Sequence, residues 1–179
     1  MTNNLQQQIQ YIRTCPNYKI FAIDLFCGAG GVFPHNHIKA GEPTNFEAAF
    51  KAGQNMDAVC EYIKLHTIRA NYEFWAKRFE KIAAGEAVLS IRQWVGKPYG
   101  KGSTQREIAR LTREDGIGIQ ELTIIGCSTI HPIYVGRHSV SRKVLANNDG
   151  LDEADWTSWF DGYDLTEPLA VIHFTNFRY

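Results

Sequence analysis

The stretch YEFWAKRFEKIAAGEAVLSIRQW, Tyr72 to Trp94, decides how the rest of the chain is read, because two structural periods meet inside it. Tyr72 to Ala84 sets its apolar residues on one face of a helix, Gly85 punctuates it, and Ala87 to Trp94 alternates as a half-buried strand does. Downstream, Ile117 to Ile125 reads as a strand with Gly118 as a bulge or tight approach, and Gly126 to Val135 as its partner across a short turn. Leu169 to Tyr179 (LAVIHFTNFRY) is the closing strand. Between these, Thr104 to Arg113 is expected to be a helix capped by Ser103 or Thr104. Leu151 to Phe160 is expected to be another, its Asp152 and Glu153 suiting the positive end of the helix dipole. Upstream, Tyr18 to Phe26 is apolar enough for a buried strand and Val32 to Pro43 is a loop. A helix from Asn45 to Lys51 follows, with Thr44 and Glu47 as its capping pair, and Met56 to Lys64 is helix-compatible. Residues 1–17 are a polar lead-in. Strands and helices mix without regular βαβ alternation, which selects an α+β fold with a curled, mostly antiparallel sheet.

A chain of 179 residues buries one core well and two poorly, so one domain with decorations is expected. Hydrophobic content of 44% beside 21% charged residues excludes wholesale disorder and a disulfide-stapled miniprotein. The 19 basic and 19 acidic side chains cancel, yet they are unevenly placed: residues 61–113 hold 11 basic against 5 acidic, and residues 114–179 hold 4 against 10. A polyanion would therefore meet the middle of the chain and not its end. Cys15, Cys27, Cys60 and Cys127 are far apart, with neither a CxxC pair nor zinc-finger spacing, so reduced thiols in a cytoplasmic protein, without metal or cofactor, are the expectation. No stretch approaches the roughly 18 consecutive apolar residues of a membrane span, and Met1 to Gln10 has no leader pattern.

Asp24-Leu25-Phe26-Cys27-Gly28-Ala29-Gly30-Gly31 is similar to the segment that opens the cytosine-C5 DNA methyltransferases. A strand ending in a carboxylate and a glycine turn lets backbone amides approach an adenosyl cofactor, so the resemblance implies S-adenosylmethionine binding. The Pro-Cys, Glu-Asn-Val and Gln-x-Arg-x-Arg segments of that family do not occur here, which argues against an active DNA methyltransferase.

A longer resemblance runs from Phe33-Pro34 through His66-Thr67-Ile68-Arg69 and Ser90-Ile91-Arg92-Gln93-Trp94 to Ile172-His173-Phe174, and carries Lys64 five positions before Arg69. In order and motif it resembles the ASCH domain family, related to the PUA-like β-barrels, although Tyr62 stands where that signature has glycine. The resemblance implies a small, mostly antiparallel barrel with flanking helices over residues 32–179, preceded by an extension, residues 1–31, with the methyltransferase-like strand and turn. It implies a basic cleft that binds RNA or a modified nucleotide. Some small members deacylate N4-acetylcytidine. Carried over, Lys64 and Thr67 take the first two catalytic places, and Asp149 the third, where those hydrolases have Glu.

Read without the resemblance, alternation along Leu65, Thr67 and Arg69 puts Thr67 and Arg69 on one face of a strand, with Lys64 where it begins. A lysine there is a base if burial lowers its pKa, or a phosphate contact if exposed. Asp149 before Gly150 is equally a turn residue. The loop from Trp94 to Ser103 mixes aromatic, basic and glycine residues, as single-stranded nucleic acid requires: Lys97 and Lys101 for phosphates, Trp94 and Tyr99 for stacking. Together with Arg92, Lys64 and Arg69 these make the expected nucleic-acid surface. His35 and His37 are taken as loop histidines without a metal, and Trp156, Trp159 and Phe160 as a helix face packed on the barrel.

Overall fold

The computed structural model describes residues 19–25, 32–33, 37–54, 62–95, 100–126 and 131–179. The cysteines, the glycine turn of residues 28–31, His35, Lys97, Tyr99 and the lead-in of residues 1–17 lie outside them. Among the described residues the order is β1 (Lys19–Asp24), α1 (Phe46–Gln54), β2 (His66–Arg69), α2 (Tyr72–Ala83), β3 (Ala87–Val95), β4 (Thr104–Leu111), a 3-10 turn (Arg113–Asp115), β5 (Gly118–Ile124), β6 (Ile133–Val135), β7 (His138–Val140), α3 (Arg142–Asn148), α4 (Glu153–Phe160) and β8 (Leu169–His173). The fold is α+β. Its strands form a three-stranded sheet, β1-β3-β4, and a five-stranded one, β2-β8-β5-β6-β7. Every pair is antiparallel except β1 with β3. The described strands close no continuous barrel.

Helix α2 begins one residue after Asn71, whose side chain accepts from the Phe74 N–H, and its Trp75, Phe79 and Ile82 are buried. Helix α4 is capped by Asp152, whose carboxylate accepts from Asp155 N–H at 2.7 Å. Trp156 and Phe160 of α4 lie in the core with Leu89, Leu122, Val171 and Phe174. No described helix is long and apolar enough to cross a membrane.

Three expectations are corrected. Thr104 to Arg113, read as a helix, is mostly strand β4, paired with β3 from Leu89↔Leu111 to Val95↔Thr104 around a bulge at Ile91/Arg92. Strong helix formers populate it, but a hairpin partner satisfies its backbone and overrides that preference. The strand near Tyr18 to Phe26 is a sheet-edge strand whose first residues are exposed, and it reaches the core at Ile23 and Leu25. The last strand stops at His173, and residues 174–179 continue as irregular chain.

The two sheets meet along a seam. Lys19 N–H donates to Glu86 O and Leu25 N–H to Arg92 O, so the odd-numbered residues of β1 bond to β3. The Asp24 carbonyl therefore faces away from β3, where the Arg69 guanidinium of β2 donates to it at 2.5 Å.

Candidate functional site

Lys64 sits at the start of β2 and forms an isolated antiparallel bridge with Asp149, the C-cap of α3. Two glycines allow this approach. A Cβ at Gly53 of α1 would stand 2.6 Å from the Lys64 carbonyl oxygen, and Gly150, with φ of +78°, turns the chain away directly after Asp149. Backbone bonds then lock the crossing: Lys64 N–H donates to Ala49 O at 2.9 Å, and Leu65 N–H to Asn148 O at 2.8 Å.

The Lys64 and Asp149 side chains are 2% and 5% exposed and form an ion pair. The ammonium also donates to the Asp149 backbone carbonyl at 2.5 Å and stands 4.2 Å from the centroid of the Phe46 ring. Burial raises the Asp149 carboxyl above its ordinary range, while the charges of Lys64 and Arg69 pull it back. Two residues along β2, Thr67 is buried and its hydroxyl oxygen accepts from Arg69 Nη1 at 2.7 Å, as strand alternation requires. The same Nη1 donates to Ile68 O at 2.8 Å, so Arg69 is held by protein acceptors on both nitrogens. Burial lowers the Arg69 pKa, against the carboxylates of Asp149 and Asp24, and a guanidinium stays charged throughout.

Lys64, Thr67, Arg69 and Asp149 thus line one cleft, whose apolar walls include Leu25, Phe46 and Trp159. About 10 Å³ is free within it, the room one water takes. A roomier hollow of about 530 Å³ lies beyond Arg69, but Glu73, Glu121, Asp164 and Glu167 line it, and carboxylates repel phosphate.

Of the described residues expected to contact nucleic acid, Lys64 and Arg69 line the cleft, while Arg92, Trp94 and Lys101 lie elsewhere. Arg92 lies on the three-stranded sheet and donates to Ser90 Oγ at 2.9 Å, and Ser90 in turn bonds the Glu107 carboxylate. Trp94 is further along β3, opposite Gln105, and Lys101 is exposed in the connection to β4. His37 is buried: its Nδ1 accepts from Lys39 N–H at 2.9 Å, so its Nε2 carries the proton donated to Asp155 O at 2.9 Å. Among the described residues no group of three or more His, Cys, Asp or Glu is placed to hold a metal ion.

Sequence reading placed Leu25 only in the methyltransferase-like stretch, and missed Phe46 and Gly53. Nothing in their local pattern marks them, because each reaches the site through the meeting of distant elements. Trp159 was read only as packing, whereas it also walls the cleft. Comparisons with protein-family models, with curated proteins and with solved structures each return no match.

Proposed function

We propose that this chain is an ASCH-like domain, PUA-related in its curled sheets, whose Lys64–Thr67–Asp149 cleft hydrolyses the amide of a small acylated pyrimidine nucleoside. The observation that carries this reading is the burial and internal pairing of the cleft's cations. A surface that tracks RNA phosphates needs exposed lysines and arginines. Here Lys64 is bonded to Asp149 and Arg69 to Thr67 and the chain itself. A buried site with a hydroxyl beside a guanidinium, and a lysine paired with a carboxyl group, instead suits acyl transfer.

In this reading Thr67 Oγ attacks the acyl carbonyl carbon, and its proton passes to the Lys64–Asp149 pair. Burial raises the Asp149 carboxyl against the pull of Lys64, so the two groups share their protons and act in this scheme as one coupled base. Arg69, which donates to the Thr67 hydroxyl, eases its deprotonation, and the negative charge passes to the acyl carbonyl oxygen as the new C–O bond forms. The C–N bond then breaks, the amine leaves with the proton from Lys64, and water hydrolyses the acyl-threonine to carboxylic acid and free Thr67. Substrate entry requires the β1–β2 seam to part at the Arg69–Asp24 bond. At the described end of the methyltransferase-like stretch, Leu25 is a wall of this cleft and the Asp24 carbonyl holds Arg69, roles that need no adenosyl cofactor in that scheme.

The test is incubation of purified protein with N4-acetylcytidine, with chromatography for cytidine, beside Lys64→Ala. Turnover that disappears in the variant supports the reading. No turnover at high enzyme concentration, together with salt-sensitive binding of single-stranded RNA, overturns it in favour of the RNA-binding class.

A further inference from the structure

Behind the cleft, outside its lining, a second polar cluster joins the two backbone segments that carry the proposed reacting groups. Tyr179 Oη lies 2.7 Å from His66 Nε2 and 3.1 Å from Asn148 Nδ2, which donates to it. His66 directly precedes Thr67, and Asn148 directly precedes Asp149. One hydroxyl therefore bonds both segments that meet at the Lys64↔Asp149 bridge.

Tyr179 is itself fixed. Its N–H donates to Gln120 Oε1 of β5 at 3.0 Å, and its ring packs edge-on against Phe177 and His66, with centroids 4.9 and 5.6 Å away. His66 is fully buried, and among the described residues its Nδ1 has no hydrogen-bond partner, so the Tyr179 hydroxyl is the described group that orients that ring. His173, opposite His66 in the β2–β8 register, likewise has both ring nitrogens without a partner among the described residues.

We propose that Tyr179 is a positioning residue for the Lys64–Asp149 pair: by bonding His66 and Asn148 at once, it sets the separation of ammonium and carboxylate. The inference rests on the hydrolase reading for its kinetic consequence and on this geometry for the rest. Misplacement by about 1 Å costs on the order of 100-fold in rate.

Tyr179→Phe keeps the ring and removes the bridge. The expected result on N4-acetylcytidine is a kcat lower by about tenfold or more with KM changed less than about twofold, as for a group acting only through the reacting residues. A second readout needs no turnover: in protein labelled with 13C at aspartate carboxyls, the Asp149 titration midpoint shifts in Tyr179→Phe, because its coupling to Lys64 has changed. Asn148→Ala, which removes the donor to the hydroxyl, shifts the same midpoint and serves if Tyr179→Phe does not fold. An Asp149 titration unchanged in the folded variants, with only a lower melting temperature, overturns the proposal and leaves Tyr179 a packing residue. If wild type shows no turnover the hydrolase reading falls, and the titration still decides the brace.

Discussion

A lysine and an aspartate taken out of water together depend on each other. Removing one partner of a buried pair leaves the other charge unsolvated, at a cost of about 3–5 kcal/mol. Lys64→Ala is therefore expected to lower stability by that order, and Lys64→Met with Asp149→Leu to recover most of it, read from denaturant midpoints. The histidines set the response to acid. His173 is pushed down to about 3 by burial and by Arg178, and His66 is lowered well below its usual value by burial, His173 and Lys64. The unfolded chain binds protons at both sites near pH 6.5 while the folded chain refuses them, so stability is present above that value and falls as pH drops towards 3. The steepest loss is about 1.4 kcal/mol per pH unit for each histidine, and His173→Phe is expected to make the slope shallower in midpoints measured from about pH 7 to pH 4. Burial also raises the two other titrating groups nearby, Tyr179 and Asp149, the latter against the opposing pull of Lys64 and Arg69. At this scale the sequence made the side chains of β2 legible: alternation alone puts Thr67 beside Arg69. It did not make Asp149 legible as their neighbour without the resemblance, since 85 residues separate it from Lys64.

Elements bring those residues together, and α1 does so through a glycine. The Cβ of Gly53→Ala would meet the Lys64 carbonyl, a backbone atom that cannot swing aside. The substitution is expected to cost about 1–3 kcal/mol by overpacking, and to lower turnover by displacing Lys64. Lys51→Ala on the exposed face of the same helix breaks only an i,i+4 pair with Glu47 and should cost about 0.3–0.5 kcal/mol. Thermal melts of the two variants separate these effects. Helix α2, strand β3 and the acidic start of α4 were readable from local pattern, although Asp152, read as part of the first turn, is the cap that precedes it. Strand β4 was not: Ile108 and Leu111 are three apart, as on a helix, and only the pairing with β3 decides otherwise. Strand β7 and helix α3, at three and seven residues, are too short to impose a period.

At the scale of the whole molecule, the site lies where two sheets meet, and neither sheet contains it alone. The α+β class followed from the irregular mixture of elements. The seam did not, because it depends on β1 running parallel to β3 and turning one carbonyl outward to Arg69. Deletion of residues 1–25 removes Leu25 from the cleft wall and uncovers the edge of β3. The expected outcome is aggregated protein in size-exclusion chromatography, since an unprotected edge strand pairs with other chains. The central claim concerns what the assembled cleft does, namely that Thr67 becomes acylated. Intact-protein mass spectrometry after rapid mixing with N4-acetylcytidine reads this directly. The account predicts one acetyl group on the protein, located at Thr67 by peptide mapping and absent from Thr67→Ala. Cytidine released with no acetyl-protein at any time, or released equally by Thr67→Ala, would contradict it.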